Sequence, residues 1–120
     1  MSHTMNIKTE ITDIEALRAA CQRLGYELKE SGSFRLYSSN ELGAGVMLPG
    51  WSYPVVIRED GTLAMDNYAG RWGDIAELHK LEAYYGIEKA KLEAWKKGYS
   101  VQEDIDAETQ ELILQINVEV

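Results

Sequence analysis

The sequence predicts an α+β fold in which two helices pack on one face of a mainly antiparallel sheet. Two segments place apolar residues at helical spacing, and a residue suited to capping a helix precedes each of them. Several shorter segments alternate apolar and polar residues and are separated by glycine-containing turns, a pattern typical of antiparallel hairpins. The predicted order is strand, helix, four strands, long helix and two strands, for which a split ferredoxin-like arrangement is the first candidate.

The first strand is predicted at residues 3–10, where an apolar-leaning side that includes His3 alternates with a polar side. A histidine in that register is expected to pack through a hydrogen bond rather than to bind a metal.

The first helix is predicted from Asp13 to Leu24. Thr12 and Glu15 match a capping box, in which a hydroxyl and a carboxylate satisfy two free backbone N–H groups. Gly25 suits the left-handed backbone that ends a helix. Cys21 lies on the apolar stripe of this helix, so we expect a small buried hydrophobe and not a nucleophile.

The middle of the chain predicts two hairpins with a loop between them. Ser31 and Gly32 divide the first hairpin, and Asp60 and Gly61 suit a tight turn in the second. The glycine-rich segment Asn40–Ser52 is predicted to be a loop with room for one small strand. The four predicted strands are Tyr26–Glu30, Ser33–Ser38, Tyr53–Arg58 and Thr62–Asp66.

The second helix is predicted over Ile75–Lys97. Asp74 and Glu77 repeat the capping pattern, and Gly98 can end the helix. Gly86 weakens helical propensity, so the helix is expected to kink or divide there.

Two strands are predicted after this helix. Tyr99–Ile105 alternates weakly and precedes an acidic turn, whereas Leu112–Val120 alternates so regularly that it predicts a strand of the core.

Composition bounds the class of function. The chain has 120 residues, with 12 basic and 20 acidic side chains and a net charge of −8. One domain over residues 1–120 is expected, and the shortage of lysine and arginine argues against nucleic-acid binding. A single cysteine and the lack of a long apolar segment predict a cytoplasmic protein without disulfides, with no membrane partner. No catalytic or phosphate-binding motif is present, so neither an enzyme nor a cofactor is expected.

One segment between a strand and a helix has the composition of a ligand site. Its glycines permit close backbone approach, Arg71 could clamp a phosphate or carboxylate, and the aromatic residues could stack on a planar base. The alternative is that Trp72 only anchors the loop on the core, and this packing interpretation is preferred. The candidate ligand-binding residues are Asn67, Tyr68, Gly70, Arg71, Trp72 and Gly73.

Trp51 and Tyr53 are candidate interface residues. They lie in an irregular segment, where exposed aromatic side chains favour contact with a partner. Anchoring of the loop explains them equally well.

Several short motifs resemble an uncharacterised small-protein family of red-algal plastids, cyanobacteria, other bacteria and phages. The family has no established activity, so the resemblance implies membership of the family and no particular function. The matching residues are Met1-Ser2-His3, Ile7-Lys8-Thr9, Asp13, Leu17, Leu24-Gly25-Tyr26, Asp60-Gly61, Trp72-Gly73 and Lys97-Gly98-Tyr99.

Two functions follow as hypotheses. The first is a non-enzymatic interaction module that buries an aromatic patch or a sheet edge against a protein partner or a second copy of itself. The second is a binder of a small anionic ligand such as a nucleotide, which in a phage could sequester a signalling molecule of the host.

Overall fold

The computed structural model describes residues 5–7, 10–109 and 112–118. The expectations for His3 and for the ends of the first and last strands lie outside these ranges. The elements in chain order are β1 (Met5–Ile7), α1 (Ile14–Leu24), β2 (Glu27–Arg35), β3 (Asn40–Met47), β4 (Val55–Ile57), β5 (Leu63–Met65), α2 (Ile75–Lys96), β6 (Ser100–Ile105) and β7 (Leu112–Asn117).

The main sheet has five strands in the order β1-β5-β4-β3-β2, in which β2 to β5 form a meander and β1 lies at the edge beside β5. Every neighbouring pair in it is antiparallel. This confirms the α+β class and the antiparallel sheet. The split ferredoxin-like arrangement is not the one observed, because its strand-helix-strand units place parallel strands in the sheet. The last two strands also leave the main sheet and form a sheet of their own.

Both helices pack on one face of the main sheet, as predicted. Alternate residues of β3, β4 and β5 point towards this face and meet the apolar sides of α1 and α2 in one continuous core. A smaller cluster of Leu36, Val56 and Ala64 lies on the opposite face, where Phe34 and Tyr53 cover it. The core residues include Leu17, Ala20, Cys21, Val46, Val55, Leu63, Met65, Leu78, Leu81 and Tyr85.

The predicted first hairpin is a single bulged strand. The pairing of β2 with β3 shifts between Lys29 and Gly32, so Glu30 and Ser31 both lie opposite Ala44 and form a β-bulge and not a turn. The chain reverses later, where the N–H of Leu36 donates to the C=O of Ser39 at 2.8 Å. The expectation of two strands separated at Ser31 is therefore wrong, and the turn lies after Arg35.

The predicted loop Asn40–Ser52 is largely β3. Two of its glycines are required because neighbouring atoms leave no room for a Cβ. A Cβ on Gly45 would lie 2.4 Å from the ring of Phe34, and a Cβ on Gly43 would lie 2.1 Å from the C=O of Ile57. Gly43 also has a φ of 149°, which other residues rarely adopt.

The ends of α1 lie within one residue of the predicted ends. Asp13 caps α1 by accepting the N–H of Ala16 at 3.2 Å, so the cap is one residue later than the predicted Thr12. Gly25 ends α1 in the left-handed conformation, as predicted.

The second helix is continuous. The side chain of Asp74 caps it by accepting the N–H of Ala76 at 2.9 Å. It runs without a break through Gly86, so the expected division is wrong, and Gly98 follows its end with a positive φ. Glu77 does not complete a capping box, because it accepts the hydroxyl of Tyr26 at 2.5 Å.

The pair β6–β7, hereafter the ribbon, corrects the prediction for the end of the chain. Strand β7 is present as expected, but its side chains are half-buried or exposed and it does not enter the core. Among the strands that the structure describes, β7 pairs with β6 alone.

No helix within the described ranges is long and apolar enough to cross a membrane.

Candidate functional site

The segment that the sequence singles out forms a tight turn between β5 and α2. The C=O of Asn67 accepts the N–H groups of Gly70 and Trp72 at 3.0 and 2.9 Å. Tyr68 and Ala69 have φ angles of 45° and 51°, a left-handed backbone that residues other than glycine rarely adopt. Such outliers persist where the surrounding structure enforces them, and they are concentrated at functional positions.

Four rings form an aromatic cluster around this turn. The ring of Trp72 contacts those of Tyr68, Tyr37 and Tyr53 at centroid distances of 4.9, 5.1 and 5.6 Å. Tyr37 is exposed and the other three are half-buried, so the aromatic cluster is part core and part surface. It brings together residues from three separate segments of the chain, and Tyr37 was missed because its own segment carries no distinguishing signal.

Arg71 extends over this aromatic cluster. Its guanidinium carbon lies 5.2 Å from the centre of the Tyr68 ring, a cation–π distance. The side chain is exposed, and no carboxylate in the described part of the chain pairs with it. Its charge is therefore free to meet an anionic group.

Trp51 lies in the core beneath the turn. It is buried, and its Nε1–H donates to the C=O of Asp74 at 3.1 Å. A Cβ added to Gly73 would lie 2.3 Å from the Trp51 ring, so Gly73 lets the turn rest on that ring. Trp51 anchors the loop, and its expected exposure at an interface is wrong. Tyr53 remains a surface candidate as a member of the aromatic cluster.

The predicted ligand-binding residues divide into two groups. Asn67 and Gly73 are buried and hold the turn, whereas Gly70 and Arg71 are exposed and Tyr68 and Trp72 are partly exposed. The start of α2 offers an anion little, because the carboxylate of Asp74 already accepts the N–H of Ala76. Any anion here would rely on Arg71.

Asp66 is a residue that the sequence analysis did not single out. It follows β5 directly, is completely buried, and neither carboxylate oxygen has a hydrogen-bond partner in the part of the chain that the structure describes. A buried polar group without a partner opposes folding. The alternation of β5 could have indicated the burial of Asp66, because it places Asp66 on the same side as the buried Ala64.

The ribbon carries a second candidate surface. Two residues that pair across the strands point to the same face of the ribbon, and successive pairs alternate between the two faces. The apolar residues lie in every second pair, so they share one face. Ile105 and Ile116 on this face are exposed, as is Val118 directly after β7. The opposite face is mainly polar. The apolar face comprises Val101, Ile105, Leu112, Leu114 and Ile116, with Glu103 as its one charged member.

Glu103 joins the ribbon to both helices. Its carboxylate accepts two hydrogen bonds from Arg23 at 2.8 and 2.6 Å and pairs with Lys91 at 2.8 Å. Arg23 and then Lys91 lower the pKa of Glu103 from 4.5 to about 2. Glu88, buried on α2, contacts the same two cations at 3.3 and 3.4 Å. Two acids and two bases therefore neutralise one another at the base of the ribbon.

Groups that could carry catalysis or hold a metal are sparse. Burial raises the pKa of the Cys21 thiol to about 11, which opposes a nucleophilic role. His79 is exposed on α2. Within the described ranges, no group of three or more histidine, cysteine or acidic side chains is placed to hold a metal ion.

Comparison with protein-family models, curated proteins and solved structures gave no match. The surfaces described above are therefore interpreted from their own chemistry.

Proposed function

We propose that the chain is a non-enzymatic interaction module that associates with a second copy of itself through the apolar face of the ribbon. The observation that carries this proposal is the exposure of Ile105 and Ile116 together on one face of a two-stranded sheet, with the exposed Val118 directly after β7. The helices cover part of this face, where Glu103 pairs with Arg23 and Lys91. A two-stranded sheet needs a packed layer on its apolar face, and a second ribbon provides that layer for the exposed part.

The charges of the ribbon favour a second copy over a cationic partner. Glu103 is the one charged residue on the apolar face, and Arg23 and Lys91 neutralise it within the same chain. The face therefore presents apolar side chains without free charge of either sign. Two such faces are self-complementary, as a two-fold symmetric interface requires.

Net charge opposes this association at long range. Each copy carries −8, and two copies repel until salt screens the repulsion, with a Debye length of about 8 Å at 0.15 M. Apolar contact between ribbons should therefore strengthen with added salt, whereas binding of a cationic partner to acidic side chains should weaken.

Two isoleucines on β7 provide a matched test. Ile116 lies on the apolar face and is 43% exposed, while Ile113 lies on the opposite face and is 41% exposed. Sedimentation velocity over two decades of protein concentration should show a monomer–dimer equilibrium for the wild type and for Ile113→Lys. Ile116→Lys should sediment as a monomer throughout, because it buries a charge in the interface.

A wild type that stays monomeric at every concentration and salt level would contradict the proposal. Equal effects of the two lysine substitutions would also contradict it, since a general effect on the ribbon does not distinguish its faces. Far-UV circular dichroism of both variants checks that the strands remain.

A second candidate function rests on Arg71. Its exposed guanidinium, free of ion pairs among the described residues and stacked near Tyr68, favours a small anionic ligand with a planar group, such as a nucleotide. Isothermal titration with a panel of nucleotides tests this, and Arg71→Ala should abolish any binding. Arg35→Ala, at another exposed arginine, is the control. Lack of heat with every nucleotide would exclude this candidate and leave the ribbon proposal unaffected.

A further inference from the structure

A groove on the helix side of the main sheet has the properties of a small-molecule site. It lies between the start of α1, the bulge of β2, the first part of β3 and the end of β4, with a volume of about 710 Å³. Volumes of about 300–1,000 Å³ are usual for sites that bind small molecules. We infer that this groove binds an amphipathic amine, with the apolar body against its walls and the ammonium group at the acidic rim.

The walls of the groove are apolar. Leu17, Ala44 and Ile57 form its floor, and Ile14 and Leu42 form its sides. Leu42 is 72% exposed, the largest exposed fraction among the large apolar side chains that the structure describes. A ligand that covers Leu42 removes this apolar surface from water.

The groove is built from fixed backbone. The bulge moves Glu30 and Ser31 out of regular pairing with β3, which opens one wall. Gly43 brings β3 against the C=O of Ile57 at the opposite side. The hydroxyl of Tyr85 accepts the N–H groups of Thr12 and Asp13 at 3.2 and 3.1 Å, which holds the start of α1 in place. The cavity is therefore preformed, and a ligand loses little affinity to ordering it.

The charged side chains that line the groove favour a cationic ligand. Three carboxylates, those of Asp13, Glu30 and Glu59, face one arginine, Arg58. Arg58 pairs with Glu41 at 2.8 Å.

One of the three carboxylates remains available. Arg18 pairs with Glu30 at 2.7 Å, and Asp13 caps α1. Glu59 is exposed and has no ion pair among the described residues. The partial positive charge at the start of α1 is about half an elementary charge, which is less than the single charge of Asp13. The groove thus keeps a negative balance, with Glu59 as the acid that can meet an ammonium group.

A series of six-carbon probes separates the apolar and ionic contributions. Hexylamine, which is protonated at neutral pH, should bind more tightly than hexanol, and hexanol more tightly than hexanoate. Titrations followed by amide chemical shifts in ¹⁵N-labelled protein should move resonances of residues lining the groove, with Leu42 and Glu59 among them. The three probes share one apolar chain, so differences among them report the charge of the site.

Two pairs of variants test the assignment. Glu59→Gln should weaken hexylamine about two- to five-fold and leave hexanol unchanged, because it removes an exposed charge only. Glu108→Gln, at an exposed acid of the ribbon turn, should change neither. Leu42→Ser should weaken all three probes about three- to ten-fold, whereas Met47→Ser, at another exposed apolar residue of β3 outside the groove, should not.

Hexanoate binding as tightly as hexylamine would overturn the inference. Chemical-shift changes that map to the ribbon or to the aromatic cluster would overturn it as well. So would a Glu59→Gln variant in which the ratio of hexylamine affinity to hexanol affinity equals that of the wild type. None of these results bears on self-association, which uses a different surface.

Discussion

Replacing Glu103 with glutamine should loosen the attachment of the ribbon to the helices. The substitution keeps the shape of the side chain and removes the charge that pairs with Arg23 and Lys91. The depression of the Glu103 pKa from 4.5 to about 2 corresponds to a ceiling of about 3 kcal/mol. The side chain is 23% exposed and solvent screens it, so we expect a loss of about 1–2 kcal/mol in the free energy of unfolding.

The pH dependence of this contribution has a definite sign. The folded-state pKa of Glu103 lies below its ordinary value, so the ionised carboxylate stabilises the folded chain. The contribution should be complete above about pH 4.5 and should disappear as the pH falls towards 2. The difference in stability between wild type and Glu103→Gln should therefore shrink over that interval.

Glu30→Gln is the matched control. Glu30 also accepts two hydrogen bonds from one arginine, Arg18, but both side chains are 44% exposed. Urea unfolding at one low protein concentration should show a smaller loss for this variant than for Glu103→Gln, because solvent screens the exposed pair. The reasoning is refuted if Glu103→Gln costs no more than Glu30→Gln, or if its cost is unchanged at pH 2.5.

Three further outcomes are expected. Gly73→Ala should lower the free energy of unfolding by about 1–3 kcal/mol because its Cβ would overlap Trp51, whereas Gly86→Ala, with open space around it, should raise it by about 0.5–1 kcal/mol; thermal and urea unfolding of the two variants compare them. In the folded chain, Cys21 should react with a thiol reagent at pH 8 about 100-fold more slowly than a free thiol. Unfolding in urea should restore the ordinary rate, and fast labelling of the folded chain would contradict the burial of Cys21. Asp66→Val should stabilise the chain by about 1–3 kcal/mol in urea unfolding, since valine has no unpaired polar atoms to bury, and a loss of stability would mean that the carboxylate has a partner.

The helices were the most predictable part of the fold. Their signals are local, since a cap, an apolar stripe and a terminal glycine all lie within a few turns. Gly86 misled because a single glycine costs only about 1 kcal/mol, which the packing of a 22-residue helix against the core can offset.

The pairing of β2 with β3 could not be predicted from local patterns. Ser31-Gly32 fits both a turn and a bulge, and only the partner strand decides between them. The glycines of β3 suggested a loop because the sequence does not show that Phe34 and the backbone of Ile57 lie against them. The contacts that require glycine there come from elements distant along the chain.

Only part of the candidate site could be predicted. The turn around Arg71 was recognisable from its composition, but the contribution of Tyr37 and the burial of Trp51 depend on tertiary contacts. The regular alternation of β7 correctly indicated a strand with one apolar side. It could not show that this side is left partly uncovered in a single copy, and the proposed self-association follows from that difference.

The most direct test of self-association is a filtered nuclear Overhauser experiment on an equimolar mixture of ¹³C-labelled and unlabelled chains. It detects only methyl groups that are close to protons of another copy. Contacts between copies should involve Ile105, Ile116 and Val118 and be lost in Ile116→Lys. Intermolecular contacts confined to the aromatic cluster, or none at a concentration where the wild type sediments as a dimer, would contradict the account.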